Sequence, residues 1–315
     1  MADKGKKNRR IPEKFEPVVL FLRDAAVAVL FVALVLIAMF AYTGLWPPLV
    51  VVESDSMMHG QDNISNIGTI DTGDLVLVKR VDVASDVETY VDGLSSGHRT
   101  YGDYGDVVIY KRGGSDSTTP IIHRAMIYLE YDAATDTYRA PSLRNLPNTT
   151  WYTSDSSNTW DSLNSVLFLK GVGYYNQTVT IDVNGFRASQ RSGFVTKGDH
   201  NLGIDQQFTN VGPVDVDWIV GKARGEIPWF GLLKLWSTGT LGSPAPDNSV
   251  RNLWIALAAI IITPIIIDVT ITYREKRRVK LEKEAAKGSA EEPESEMKNA
   301  DAEDLGKVTQ PPKRT

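Results

Sequence analysis

The sequence predicts a mainly β fold, an antiparallel sheet or partly closed barrel held outside a membrane between an N-terminal and a C-terminal transmembrane helix. Three observations predict it. Two apolar runs, Ala25–Ala41 and Leu253–Ile267, flank the middle of the chain. Between them, short β-branched runs recur, separated by Gly, Asp and Asn. No stretch between them carries a long 3.6-residue apolar period, so a helical core is excluded.

The first run, AAVAVLFVALVLIAMFA, has no charge and no hydroxyl, and with Tyr42–Trp46 added it reaches the ~20 residues that cross a bilayer. A cleaved signal peptide fits poorly, because no small-residue cleavage site follows. Leu45-Trp46-Pro47-Pro48 supplies an interfacial aromatic and then a helix stop. The second run, LWIALAAIIITPIII, contains Pro264, which predicts a kink, and extends to a span over residues 251–273. Basic residues lie outside both runs: Lys4, Lys6, Lys7, Arg9, Arg10, Lys14 and Arg23 before the first, then Arg274, Lys276, Arg277, Arg278 and Lys280 after the second. The positive-inside rule then places both termini in the cytoplasm and residues 47–250 outside.

The predicted organisation is a basic cytoplasmic segment (1–24), a transmembrane helix (25–46), the outer β domain (47–250), a second span (251–273) and a mostly disordered cytoplasmic tail (274–315). Residues 128–192, rich in Tyr, Trp, Asn and Thr, read as an inserted β-subdomain. The chain has 315 residues, 34 Lys+Arg against 39 Asp+Glu and no cysteine. The missing cysteine excludes disulfides, thiolate metal sites and a cysteine nucleophile. A net charge of −5 argues against nucleic acid as a partner. Sequons at Asn63, Asn148 and Asn176 fit an outside location, at a frequency close to chance.

Within the outer segment, strands are predicted at Pro48–Glu53, Leu75–Val81, Val107–Tyr110, Ile121–Glu130, Thr178–Val183 and Ile219–Arg224. Gly-Asp pairs, Gly73-Asp74, Gly105-Asp106 and Gly198-Asp199, precede several of them, and Asn184-Gly185 is a hairpin signal. The residues able to carry chemistry are few. Ser56 follows the first predicted strand; a serine there is ordinarily a turn or cap residue, but Met57-Met58 directly after it is unusual for a plain turn. His123 sits in a strand-like run and gains a catalytic meaning only beside Ser56 with a carboxylate fixing its tautomer. Asp199 and Asp205 share one loop. A calcium loop would alternate more acidic ligands, and zinc would pair His59 or His200 at a spacing the chain lacks. No metal or cofactor is expected.

Taken together, these residues resemble the type I signal peptidases of the archaeal and endoplasmic-reticulum kind. The resemblance runs in order through Ser54-Asp55-Ser56-Met57-Met58, Gly73-Asp74-Leu75-Val76-Leu77-Val78, Gly105-Asp106-Val107-Val108-Ile109-Tyr110-Lys111, Ile121-Ile122-His123-Arg124, and Phe194-Val195-Thr196-Lys197-Gly198-Asp199-His200-Asn201 with Asp205. Gly221-Lys222-Ala223-Arg224 and Ile227-Pro228-Trp229-Phe230-Gly231 extend it. The resemblance implies a membrane-bound serine protease that removes signal peptides from exported preproteins, with small residues before the cut. It assigns the nucleophile to Ser56 and the general base to His123. Asp205 is the expected orienting carboxylate, with Asp199 holding the loop or taking that role itself. By extension from bacterial members, Ser54 becomes an oxyanion donor.

Departures accompany the match. Asp55 stands where glycine is usual, His59 where proline is usual, and His200 replaces a common asparagine; His59 is therefore a rival base. Met57, Met58, Trp229, Phe230, Leu232, Leu233, Leu235 and Trp236 could form an apolar face on the bilayer, with core packing as the ordinary reading for about half of them. The partners implied are signal-peptide-bearing preproteins, the lipid bilayer and the secretion translocon. The location implied is an archaeal cell membrane, or failing that the endoplasmic-reticulum membrane. The competing readings are a catalytically inactive relative serving as a binding or assembly subunit, a surface glycoprotein with a β-sandwich, and a protease of the same branch with a narrower substrate set.

Overall fold

The computed structural model describes residues 16–60, 64–209 and 212–306. The basic residues before Glu16, the sequon Asn63 and the end of the tail lie outside the described residues. By contacts the chain divides into Met1–Asn252 and Leu253–Thr315. Helix α1, Glu16–Thr43, begins the first unit. Strands β1 (Leu49–Val51), β2 (Leu75–Lys79), β3 (Arg99–Thr100), β4 (Asp103–Tyr104), β5 (Val107–Tyr110) and β6 (Ile121–Asp132) follow, with α2 (Tyr90–Ser96) between β2 and β3. Then come β7 (Thr137–Arg139), β8 (Trp151–Thr153), β9 (Val166–Val172), β10 (Gln177–Asp182), β11 (Gly193–Lys197), the short α3 (Gln206–Thr209), β12 (Ile219–Ile227) and α4 (Gly231–Thr238). Helix α5, Asp247–Gly306, starts at the end of the first unit and makes up the described part of the second.

The main sheet has the order β1-β2-β12-β5-β6-β11, antiparallel throughout, and β7 pairs with β6. The predicted antiparallel sheet is present, but the hydrogen-bonded path of the described strands ends at β1 and β11 without returning, so no closed barrel forms. Helix α5 continues past the second apolar run as far as Gly306 and runs through Pro264 without interruption. Ala, Glu and Lys are strong helix formers, and Arg278–Glu282 (2.9 Å) and Lys280–Glu284 (3.8 Å) pair one turn apart. Among the described residues, two helices are long and apolar enough to cross a membrane, Val18–Thr43 and Asp247–Glu284.

The inserted segment builds a second sheet, β10-β9-β8. It is not a separate lobe. Leu167, Leu169, Val179 and Ile181 share one core with Met126, Ile127 and Leu129 of β6, Val195 of β11 and Tyr90 and Val91 of α2. Asn184 and Gly185 lie in a 3₁₀ turn, Asn184–Ser189, rather than a hairpin. Asp182 Oδ1 accepts the Gly185 N–H at 3.1 Å and captures that turn locally. The hairpin of this sheet instead turns at Gly173–Asn176, between β9 and β10.

Two of the sequence motifs meet in space. Asp106 is fully buried and accepts from Lys222 Nζ at 2.9 Å, Arg224 Nη1 at 2.9 Å and His98 Nε2 at 2.8 Å. Burial alone would raise its carboxyl, but His98, Lys222, the Glu88 N–H and Arg224 outweigh burial and hold it below the usual carboxylate value.

Asp74 behaves oppositely. It takes the N–H groups of Trp229 and Asp71 at 2.9 Å each and so anchors the chain entering α4. Burial pushes its carboxyl up to about 7. An acid raised by folding is protonated when folded at a pH where the unfolded chain is ionised. Its stabilisation is therefore complete below the unfolded value, ~3.9, and is lost as pH rises through about 7. The Tm of the wild type should fall from about pH 5 to about pH 7.5 more steeply than that of Asp74→Asn; parallel curves would reject this assignment.

Candidate active site

Ser56 is placed by its apolar neighbours. After β1, Val52 N–H donates to Asp74 O at 2.9 Å, and the next turn closes with Met58 N–H on Asp55 O at 3.0 Å. Met57 and Met58 are 1% and 2% exposed, and Met57 joins the core of Val52, Ile70, Val107 and Ile109. Burial of such a side chain is worth ~1.5–3 kcal/mol, which draws the turn inward and leaves half-buried Ser56 beside it. The two methionines therefore do not form a bilayer face. Leu232 and Leu235 are buried as well, while Leu233 and Trp236 stay exposed. Asp55, where the resembled family has glycine, accepts from Ser243 Oγ at 2.9 Å.

His123 stands on β6, opposite Val108 of β5. Its Nε2 lies 2.9 Å from Ser56 Oγ. Its Nδ1 lies 2.8 and 2.7 Å from the two oxygens of Asp205. A carboxylate only accepts, so Nδ1 carries the proton and Nε2 presents its lone pair to the serine hydroxyl. Asp205 Oδ2 also accepts from Thr196 Oγ1 at 2.7 Å and Tyr110 Oη at 2.8 Å. Burial works to raise Asp205, but His123, Thr196 and Tyr110 prevail and hold it below its ordinary value. Burial, and then the Asp205 charge, push the Tyr110 hydroxyl far up, which keeps it a proton donor.

Asp199 serves a different histidine. Arg124 grips it with Nε on Oδ1 at 2.8 Å and Nη2 on Oδ2 at 2.6 Å, and His59 Nε2 lies 2.8 Å from Oδ2. Burial opposes ionisation, but Arg124 and His59 overcome it, and Asp199 sits far below the usual range. Successive residues of a strand point to opposite faces, so His123 and Arg124 serve two different aspartates. His59 makes no hydrogen bond to Ser56 among the described residues. Sequence reasoning gave no role to Arg124, Thr196 or Tyr110, although all three stand inside the motifs it singled out.

Gly198 is where the two halves touch. A Cβ there would lie 2.5 Å from Ser56 O and 2.8 Å from His123 Nε2. Gly198→Ala should therefore move Ser56 and His123 apart with the fold retained; in a catalytic site, where about 1 Å of misplacement costs ~10²-fold, kcat would fall by at least that much. Activity within about threefold of wild type would show that the site yields more than this contact allows.

The site opens on a cleft of about 810 Å³. Leu49–Val51 of β1 form one wall and Thr119–Ile122 the other; Ser54, Ser56, His123 and Asp205 line it between them, and Arg112 and Lys234 add cations. Among the described strands, β1 pairs only with β2, and β11 pairs with β6 only from Arg124 onward. Each wall thus leaves a backbone edge unpaired in the sheet, which suits an extended peptide adding as a strand. Ser54 Oγ lies 3.3 Å from Ser56 Oγ. Comparison with protein-family models finds no match for the chain, and none of the curated proteins matches its sequence.

Proposed function

We propose that the chain is a membrane-bound serine endopeptidase that removes N-terminal signal peptides from exported preproteins at the outer membrane surface. The observation that carries this reading is the line from Ser56 Oγ through His123 to Asp205, at 2.9 and 2.7 Å, in a cleft with two open strand edges. Nε2 takes the serine proton as Oγ attacks the scissile carbonyl, then returns it to the leaving amine. Asp205 holds the tautomer and stabilises the imidazolium. Water, activated by the same histidine, releases the acyl group from Ser56. No metal or organic cofactor enters these steps.

Ser54 Oγ and the Ser56 N–H are the proposed oxyanion donors. Ser54→Ala should lower kcat ~10²–10³-fold, the usual worth of one such donor, and a loss below about tenfold would remove Ser54 from that role. The two apolar helices support a membrane location; the location proposed is an archaeal cell membrane with both termini cytoplasmic, or failing that the endoplasmic-reticulum membrane. Ser56 lies a short way past Thr43, the last residue of α1, which keeps it near the headgroups where a signal peptide ends.

The test is to give the detergent-purified chain a model preprotein and sequence the product. Release of a mature protein starting at the signal-peptide junction is expected. A chain that retains the preprotein in pull-down without cutting it would instead be a binding or assembly subunit.

A further inference from the structure

The turn of the inserted sheet ends on the back of the site. Tyr174 stacks on His59, ring centroids 5.7 Å apart and planes 23° apart. Tyr175 stacks on His200 at 5.9 Å and 25°. The two tyrosines meet edge to face at 5.2 Å. The Tyr175 hydroxyl also donates to Gly60 O at 3.0 Å, and the His200 N–H donates to Ser56 O at 2.9 Å. Tyr175 therefore touches both loops that form the site, the one carrying Ser56 and the one carrying Gly198 and Asp199. His59 has little freedom of its own. Its Nε2 is held by Asp199, its ring is covered by Tyr174, and a Cβ at Gly102 would approach its Nδ1 to 3.0 Å.

We infer that Tyr174 and Tyr175, at the tip of the inserted sheet, clamp the Ser56–Gly60 loop onto the Gly198–Asn201 loop, and so position Ser56 against His123. The inference rests on the peptidase reading only for its catalytic consequence. It gives a role to the inserted segment and to the two histidines that depart from the resembled family, since His59 and His200 are the surfaces the tyrosines stack on. Tyr174 and Tyr175 are positioning residues; neither touches the reacting atoms. Contacts of this kind are strong enough to set a loop's closed fraction and too weak to decide the global fold.

The experiment uses the full chain in detergent and reads two quantities: amide hydrogen exchange over residues 54–60 and 197–203, and steady-state cleavage of a model preprotein. Tyr175→Ala should raise exchange in both loops about tenfold and lower kcat about tenfold, with KM within about twofold. Tyr175→Phe keeps the ring and should restore most of both. Phe168→Ala removes the stack on Tyr152, 4.6 Å away within the same inserted sheet, and should loosen that sheet while leaving both loops and kcat unchanged. Unchanged loop exchange in Tyr175→Ala overturns the clamp whatever cleavage does. Faster exchange with unchanged kcat overturns its positioning role, as does an equal kcat loss in Phe168→Ala. Faster exchange in a chain whose wild type cuts nothing leaves the clamp standing and removes the peptidase reading instead.

Discussion

Ser56→Ala is expected to lower kcat about 10⁶-fold on a preprotein substrate, and His123→Ala nearly as much, with little change in KM. The reason is the 2.9 Å contact between Oγ and Nε2. An uncharged hydroxyl is a weak nucleophile, and an imidazole without a hydroxyl to activate has nothing to deliver. The two side chains act as one unit. The double variant should therefore be no slower than the slower single variant, with a residue of about 10³–10⁴ over water from binding and oxyanion stabilisation. Kinetics of the four proteins measure this directly. Additive losses would mean that the two residues contribute to separate steps.

Asp205→Asn should lower kcat about 10⁴-fold while leaving substrate binding intact. Asp205 accepts from His123, Thr196 and Tyr110. An asparagine can turn its amide NH₂ toward Nδ1, which moves the imidazole proton to Nε2, the atom that must accept from Ser56. The contrast with Asp199 makes the prediction specific. Asp199 is gripped by Arg124, which is itself buried, so Asp199→Asn leaves a guanidinium poorly paired. The cost there is chiefly to stability, about 3–5 kcal/mol if the pair is broken outright. Thermal unfolding beside kinetics separates the two cases. A Tm loss confined to Asp205→Asn, with the kcat loss confined to Asp199→Asn, would exchange the roles assigned to them.

What the sequence made legible follows from how local each signal is. Hydropathy is local, so Ala25–Ala41 and Leu253–Ile267 were readable as spans and appear in helices long enough to cross a membrane. Alternation is nearly as local, and β2, β5, β6, β10 and β12 lie close to their predicted positions. Short helices left too few residues for a 3.6 period. α2 nevertheless carried a legible start and stop, with Thr89 capping Asp92 N–H and Gly97 ending the helix at φ 82°. The Asn184-Gly185 signal misled because Asp182 captures the Gly185 N–H locally.

Within the site, Ser56, His123 and Asp205 were found through ordered motifs, and the structure brings the three into one line. The partners of Asp199 were not legible. His59, Arg124 and Asp199 come from three distant segments, and only the pairing of β6 with β11, Lys197 opposite Arg124, brings the last two together. Alternation along β6 turns the neighbouring His123 to the other face, where it meets Asp205. The apolar face expected on the bilayer divided for a related reason: one helix, α4, buries Leu232 and Leu235 and exposes Leu233 and Trp236. A run of apolar letters does not say which of them the core will take.

The central claim is that His123, and not His59, serves Ser56. The most direct measurement is preprotein cleavage by His123→Ala and His59→Ala side by side, each with its Tm. The account predicts that His123→Ala loses cleavage while keeping close to the wild-type Tm. It predicts that His59→Ala keeps cleavage within about tenfold and loses stability, because His59 holds Asp199 and the Tyr174 ring and makes no contact with the reacting atoms. Cleavage abolished in a folded His59→Ala chain and spared in His123→Ala would contradict it.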